Sequence, residues 1–335
     1  MLFKTPAKKR KPRLFSFVLP NLPINPGKKQ LMKTFVDGAT EAGLDTYIYT
    51  RLTENIKTIF PDDFLFIWGF NYRAKAAIKF WKDHGGNENN VIYFEGNVLK
   101  AKEKIPASVY RFPIKSIYAD GDFMDSDDYE QKYNELAKHV DLTIHPWKNN
   151  PDGHILIYMN RGGEGWGHFD VPVWPWLERT IKEIRKVSDR KIIVKDHPGR
   201  VISCSREKEQ QKSALKAFDK NVKFYHNVTK DLKDNEKILL NKAHAAVILG
   251  STAGAISMMN GIPTFATHKK SFINRWSAGE LKNIENPIYP NREAFIKEYV
   301  NSHWVLETEI TRGDFFNKLL RQRYKQWHTP PNRNI

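Results

Sequence analysis

One cysteine stands in 335 residues. Cys204 allows no internal disulfide, which fits a reducing compartment, and its polar loop context argues against catalysis by it. No apolar run approaches the ~20 residues of a membrane span. The start MLFKTPAKKRKPR leads into LFSFVLP, shorter than a typical signal core and without a small-residue cleavage site, and reads as no export signal. The fingerprint G-x-G-x-x-G is missing after the first expected strand, which disfavours a dinucleotide enzyme. The acidic patch Asp120, Asp122, Asp125, Asp127 and Asp128 fails the EF-hand spacing. Its D-x-D could hold a divalent cation on a nucleotide diphosphate, but a solvated acidic loop is the simpler reading, so no metal site is expected. No helix-turn-helix, zinc-finger or RNA-binding signature is present.

What abounds is positive charge: 54 Lys and Arg against 38 Asp and Glu, a formal +16. Both ends are enriched, through Lys8, Lys9, Arg10 and Lys11 at one and Arg321, Arg323 and Lys325 at the other. Such a balance points to a polyanionic partner, nucleic acid or an anionic membrane surface.

Apolar runs alternate with helical periods along the whole chain. Strands are expected at 14–19, 46–49, 64–68 and 91–94, with helices at 28–42 and 72–83 between them. That order implies a mostly parallel, covered sheet. The turn formers Lys148 to Gly153 make the best linker. The rhythm then restarts with strands at 154–160, 191–194, 222–225, 245–249 and 264–266 and helices at 176–188, 235–243 and 255–260. The expected division is a basic arm at 1–13, Rossmann-like α/β domains at 14–147 and 148–310, and a basic helix and tail at 311–335 that can pack back on the first domain.

Three loops of the second half fall at carboxyl ends of strands: Arg161-Gly162-Gly163 onward, Lys195-Asp196-His197-Pro198-Gly199, and Gly250-Ser251-Thr252-Ala253-Gly254. In an open parallel sheet such ends share the edge where ligands bind. Arg161, amid glycines, can bring a guanidinium and backbone N–H groups to a phosphate, or form a surface ion pair. Lys195 adds positive potential, and His197 can donate to a phosphate or ribose oxygen. Ser251 and Thr252 can cap a helix whose free N–H groups face an anion. The plain alternative for this turn is an ordinary strand-to-helix connection. Taken together, the three loops describe a nucleotide-diphosphate pocket.

The His197-Pro198 loop, the Ser-Thr-Ala-Gly helix start and the following Gly261-Ile262-Pro263 resemble GT-B glycosyltransferases. The resemblance is nearest to the capsule-polysaccharide type and to phage-encoded DNA-modifying transferases. It covers roughly 154–320, including Ile284-Glu285-Asn286-Pro287 and Trp304, and the first half matches in layout only. It implies two Rossmann-like domains facing across a cleft, the first taking the acceptor and the second a UDP-sugar. Donor contacts would come from Arg161, Gly162, Lys195, His197, Ser251, Thr252, Ala253 and Gly254. Many such enzymes carry a ribose-binding Glu in the helix, where this chain has Ala255-Ile256-Ser257-Met258, so Glu285 stands as a substitute. An inverting transfer needs a base for the acceptor hydroxyl. Glu95, ending an apolar strand, fits that role by position and by resemblance, with Asp120 and Asp122 in reserve.

No tightly bound cofactor is implied, and a divalent cation is not expected, because the loops themselves can receive the diphosphate. The acceptor expected from the charge is 5-hydroxymethylcytosine in double-stranded phage DNA, extruded into the cleft and given glucose or arabinose. Phe70, Tyr72 and Trp81 could stack on such a base or belong to the core. The expected location is the cytoplasm, the host's if the chain is phage-encoded. A capsule or lipopolysaccharide transferase at the inner leaflet is the alternative enzyme. A DNA-binding protein with a catalytically dead fold is the other alternative, kept open by the missing ribose Glu.

Overall fold

The computed structural model describes residues 10–17, 26–52, 56–69, 72–99, 109–117, 126–160, 171–197, 212–216, 218–225 and 238–323, with residues 102, 121 and 124. The first half builds a six-stranded sheet. Its strands β1 (Arg13–Phe17), β2 (Asp45–Tyr49), β3 (Phe64–Trp68) and β4 (Val91–Gly96) are parallel, in the order β2-β1-β3-β4. β5 (Val109–Arg111) runs antiparallel to β4. These strands are apolar throughout because both faces are covered. Alternate residues go opposite ways: Leu14, Phe64 and Phe66 meet helix α1 (Pro26–Glu41), while Phe15, Leu65 and Ile67 meet helix α2 (Tyr72–Asp83). On α1, Phe35 stacks on Phe66 with ring centroids 3.7 Å apart. On α2, Trp81 is fully buried against Phe15, which makes it core and removes it as a stacking platform for a base.

The second sheet has five parallel strands: β6 (His154–Tyr158), β7 (Ile192–Lys195), β8 (Val222–Tyr225), β9 (Ala243–Ile248) and β10 (Thr264–Ala266). They lie in the order β10-β9-β6-β7-β8. Counted from β6 this is the doubly wound order 3-2-1-4-5, whose ligand crevice opens where the chain changes direction, between β6 and β9. After helix α3 (Tyr129–His139), helix α4 (Val173–Arg185) covers one face of this sheet. Its Leu177, Ile181 and Ile184 share a helical stripe and pack on Ile155, Ile192 and Val247. Helix α5 (Ala253–Met259) covers the other face through Ala255, Met258 and Met259.

The segment between the halves is tied to α5. His145 N donates to Met259 O (2.9 Å) and Lys148 N to Gly261 O (2.7 Å). Gly261, at φ +79°, leaves room for Pro146 O, which a Cβ would strike. Helix α6 (Arg292–Ser302) then brings the chain back to the first sheet, where β11 (His303–Val305) pairs antiparallel with β5. The return thus begins at residue 303, ahead of the expected 311. Helix α7 (Asp314–Arg323) completes it, burying Phe315, Phe316 and Leu319 against Phe35 and Phe112.

Candidate active site

The carboxyl ends of both sheets look into one cavity of ≈ 150 Å³. Glu95 and Arg111 line it from the first half, and Asn160, Ser251, Thr252 and Lys270 from the second. Asn160 follows β6 and Ser251 follows β9, so the hollow lies at the direction change of the second sheet.

Glu95 is the penultimate residue of β4 and opposes Arg111 of β5 in register. Its Oε1 is buried and has no hydrogen-bond partner among the described residues. Burial pushes its carboxyl above the ordinary range, and the nearby Arg111 charge pulls the other way. Arg111 Nη2 donates to Ile117 O at 3.1 Å, and the guanidinium stands 4.5 Å from the Phe272 ring centre. Burial lowers its pKa while Glu95 and Glu298 raise it. Sequence reasoning missed Arg111. The signal available was an arginine at an inward position of the apolar alternation Val109-Tyr110-Arg111-Phe112. Asn160, whose buried Oδ1 has no partner among the described residues, and Lys270 were missed as well.

In the Gly250–Gly254 loop, Ser251 Oγ accepts from Ala253 N at 3.3 Å. Thr252 makes no capping bond, and the helix it precedes is only seven residues long. The loop therefore offers hydroxyls and backbone donors more than a helix dipole. Gly254 is buried, and a Cβ there would lie 2.6 Å from Ile248 Cδ1 and 2.7 Å from Ile273 Cδ1. That close packing of α5 on β9 by itself requires a glycine at this position, and Gly254 is not in the cavity's lining. Ala253 begins that helix, beside the cavity but not in its wall.

Lys195 and Ile248 flank Tyr158 in register, so Asn160, His197 and Gly250 follow one row of the same edge. Lys195 Nζ lies 5.6 Å from the Tyr158 ring centre. His197, half-buried, donates its backbone N–H to Asp196 Oδ1 at 3.0 Å and lies one strand away from the hollow, outside its lining. Glu285 is not brought there at all. Its carboxylate takes Arg190 Nε at 3.0 Å and Nη2 at 2.9 Å, and Arg190 Nη1 also bonds Pro151 O. Arg190 precedes β7 and Pro151 precedes β6, which puts Glu285 at the amino edge of the sheet, away from any ribose in the cleft.

Arg161, Gly162, Asp120, Asp122, Lys8, Lys9, Lys325 and Phe70 lie outside the described residues, as do the side chains of Arg323 and Tyr72. Of the basic ends, Arg10 is paired with Asp62 and Asp63, each at 2.8 Å, and Arg321 with Asp127 at 3.0 Å. Lys11 is exposed. Asp128 Oδ1 caps α3 by accepting from Gln131 N (3.0 Å). Among the described residues no group of three His, Cys, Asp or Glu is placed to hold a metal. No helix among them is long and apolar enough to cross a membrane.

No protein-family model and no curated protein sequence matches the chain. Solved structures do. Thermosulfurimonas dismutans KpsC, a beta Kdo 2,4 transferase, is similar over 86% of this chain and 89% of its own, at 11% identity and TM-score 0.49. Anabaena Alr3699/HepE, in complex with UDP and glucose, is similar over 94% and 100%, at 8% identity and TM-score 0.34. Methanocaldococcus jannaschii UDP-GlcNAc 2-epimerase, in complex with UDP-GlcNAc and UDP, is similar over 93% and 100%, at 10% identity and TM-score 0.33. The architecture is GT-B. That rests on this chain's own strand orders and on two carboxyl edges sharing one cleft.

Proposed function

We propose that the chain is an inverting, metal-independent glycosyltransferase that takes a sugar from a UDP-sugar. The observation that carries this reading is Glu95, a buried carboxyl with an unmet oxygen, on the wall opposite Ser251 and Thr252. A general base works best when its pKa approaches the operating pH, and burial moves Glu95 in that direction. Glu95 takes the acceptor hydroxyl proton as that oxygen attacks the anomeric carbon. The diphosphate leaves toward Ser251, Thr252 and the Lys195–His197 edge. Asn160 Oδ1, buried in the cavity wall with no partner among the described residues, is our candidate to take a ribose hydroxyl in place of the missing Glu. Hydroxymethylcytosine in DNA is our finer reading of the acceptor, supported by the net +16. The pairing of Arg10 and Arg321 inside the molecule takes two cations from that argument.

The test is product mass after incubation with UDP-glucose or UDP-arabinose and three acceptors: hydroxymethylated duplex, ordinary duplex, and a capsule or lipopolysaccharide glycan. Glu95→Gln should lower kcat by roughly 10²–10⁴ while UDP affinity stays within about twofold. Wild-type turnover in Glu95→Gln refutes the assigned base. Transfer to glycan alone replaces DNA with a carbohydrate acceptor.

A further inference from the structure

Arg111 carries more hydrogen-bonding capacity than the protein meets. The residue is 6% exposed, and its Nε and Nη1 find no acceptor among the described residues. A guanidinium stays charged at any working pH and presents five N–H donors. Leaving such buried donors unmet costs more for a charged group than for a neutral one. No carboxylate among the described residues comes within ion-pair distance of it. Glu298 instead holds Arg275 Nη1 at 3.0 Å through Oε2. Phe272 covers the guanidinium's face, which leaves its edges for a ligand. Lys270 adds a second cation to the same cavity from the other half.

Directly opposed residues of an antiparallel pair project from the same face of the sheet, with Cα atoms about 4.5–5.5 Å apart. Arg111 and Glu95 are such a pair. Resting on the transferase reading of the cleft, we propose that the sugar acceptor carries an oxyanion, a carboxylate or a phosphate, close to the hydroxyl that is glycosylated, and that Arg111 binds it. Glu95 receives the hydroxyl proton. The acceptor oxygen bonds to the anomeric carbon as the bond from that carbon to the diphosphate oxygen breaks, and its electron pair leaves with UDP. The oxyanion is unchanged by the reaction; it orients the hydroxyl. Its negative charge beside Glu95 also raises the affinity of that carboxylate for a proton at the moment the acceptor is docked.

The experiment saturates the protein with UDP, then titrates inorganic phosphate, lactate and, as a neutral control, methyl glucoside, read by calorimetry. At least one anion should bind and methyl glucoside should not match it. Arg111→Gln should weaken that binding by roughly tenfold or more, with UDP affinity within about twofold of wild type. Tighter phosphate identifies a phosphorylated acceptor, and tighter lactate an acidic sugar. Anions that fail to bind, or that bind Arg111→Gln as well as wild type, overturn the proposal. If Arg111→Gln does not fold, Lys270→Gln, on an exposed side chain, decides: a loss of about threefold or more supports it and an unchanged affinity overturns it. A protein that does not bind UDP counts against the transferase reading instead, and the anion titration is then read without UDP.

Discussion

Gly254→Ala separates two reasons for a glycine at the mouth of the cleft. If the residue is there to let a ligand approach, the new methyl blocks UDP and leaves stability unchanged or improved. If it is there for packing, the methyl enters the α5–β9 contact. It would stand 2.6 Å from Ile248 Cδ1, 2.7 Å from Ile273 Cδ1 and 3.3 Å from Thr264 Cγ2. Each isoleucine tip must retreat by most of an ångström to restore ordinary contact. Both are ends of side chains, so the cost lies low in the ~1–3 kcal/mol range of overpacking. Alanine returns up to about 1 kcal/mol of helix propensity, less here because the position is the second of the helix. The balance is a loss of about 1 kcal/mol, a fall in Tm of about 1–2 °C for a chain of 335 residues. Thermal unfolding with and without UDP reads both quantities. The expected result is a lowered Tm with an undiminished UDP-induced rise. An unchanged Tm with the UDP-induced rise abolished refutes the packing argument and restores Gly254 to the donor site.

Two further substitutions test the placement of charge. Glu285→Gln should leave UDP affinity within about twofold and cost about 1 kcal/mol of stability, the lower end for charged hydrogen bonds at a partly exposed site. Burial pushes the Glu285 carboxyl up, but its Arg190 bonds hold it below the ordinary 4.5. The pair's contribution is therefore present above that value and lost as pH falls through the lower folded value, which urea unfolding between pH 3 and 6 should show. Lys132 is buried, 3.1 Å from the Trp304 ring centre and 3.8 Å from Glu309, and burial takes its pKa from 10.5 down to about 7. In that window the unfolded chain binds the proton more tightly, so stability rises from about pH 7 toward 10.5. The double substitution Lys132→Met, Glu309→Gln should remove this rise and stabilise the protein at pH 7 by ~1–4 kcal/mol. The new amide oxygen can still accept the bond that Glu309 Oε2 takes from Val305 N. A slope that persists in the double variant contradicts the assignment to Lys132.

The parallel strands were legible because each buries both faces and so reads as an apolar run between helical periods. Glu95 and the Gly250–Gly254 loop were legible for a related reason, as polar breaks at the carboxyl ends of such runs. What escaped depends on partners far along the chain. β5 is three residues long and is held on its outer side by β11, nearly two hundred positions later. Its three-residue alternation is too short to announce a strand by itself, so Arg111 went unassigned. Glu285 read as a substitute ribose contact because its partner Arg190 lies 95 residues away. Arg10 and Arg321 counted toward a basic surface until Asp62, Asp63 and Asp127 came beside them. The packing constraint on Gly254 was hidden because Ile273 is distant in sequence and adjacent in space.

The cleft has a packed floor. One apolar cluster joins Val98, Leu99, Val109 and Leu136 to Ile248, Met258, Phe295 and Tyr299, residues of both halves. Polar ties cross the same boundary: Tyr299 OH donates to Asn97 Oδ1 at 2.7 Å, and Ser126 N to Asn301 Oδ1 at 2.9 Å. Opening such a boundary exposes apolar surface at about 25 cal/mol per Å² and leaves those groups unpaired, so large excursions of one half against the other are disfavoured. Asn97 stands two residues beyond Glu95, and Ile248 three before Ser251. The same contacts that fasten the halves therefore fix the base and the donor loop relative to each other. A reaction between groups held on separate sheets requires their separation to be set before the substrates arrive. In this chain that separation is set by hydrophobic packing immediately beneath the reacting groups.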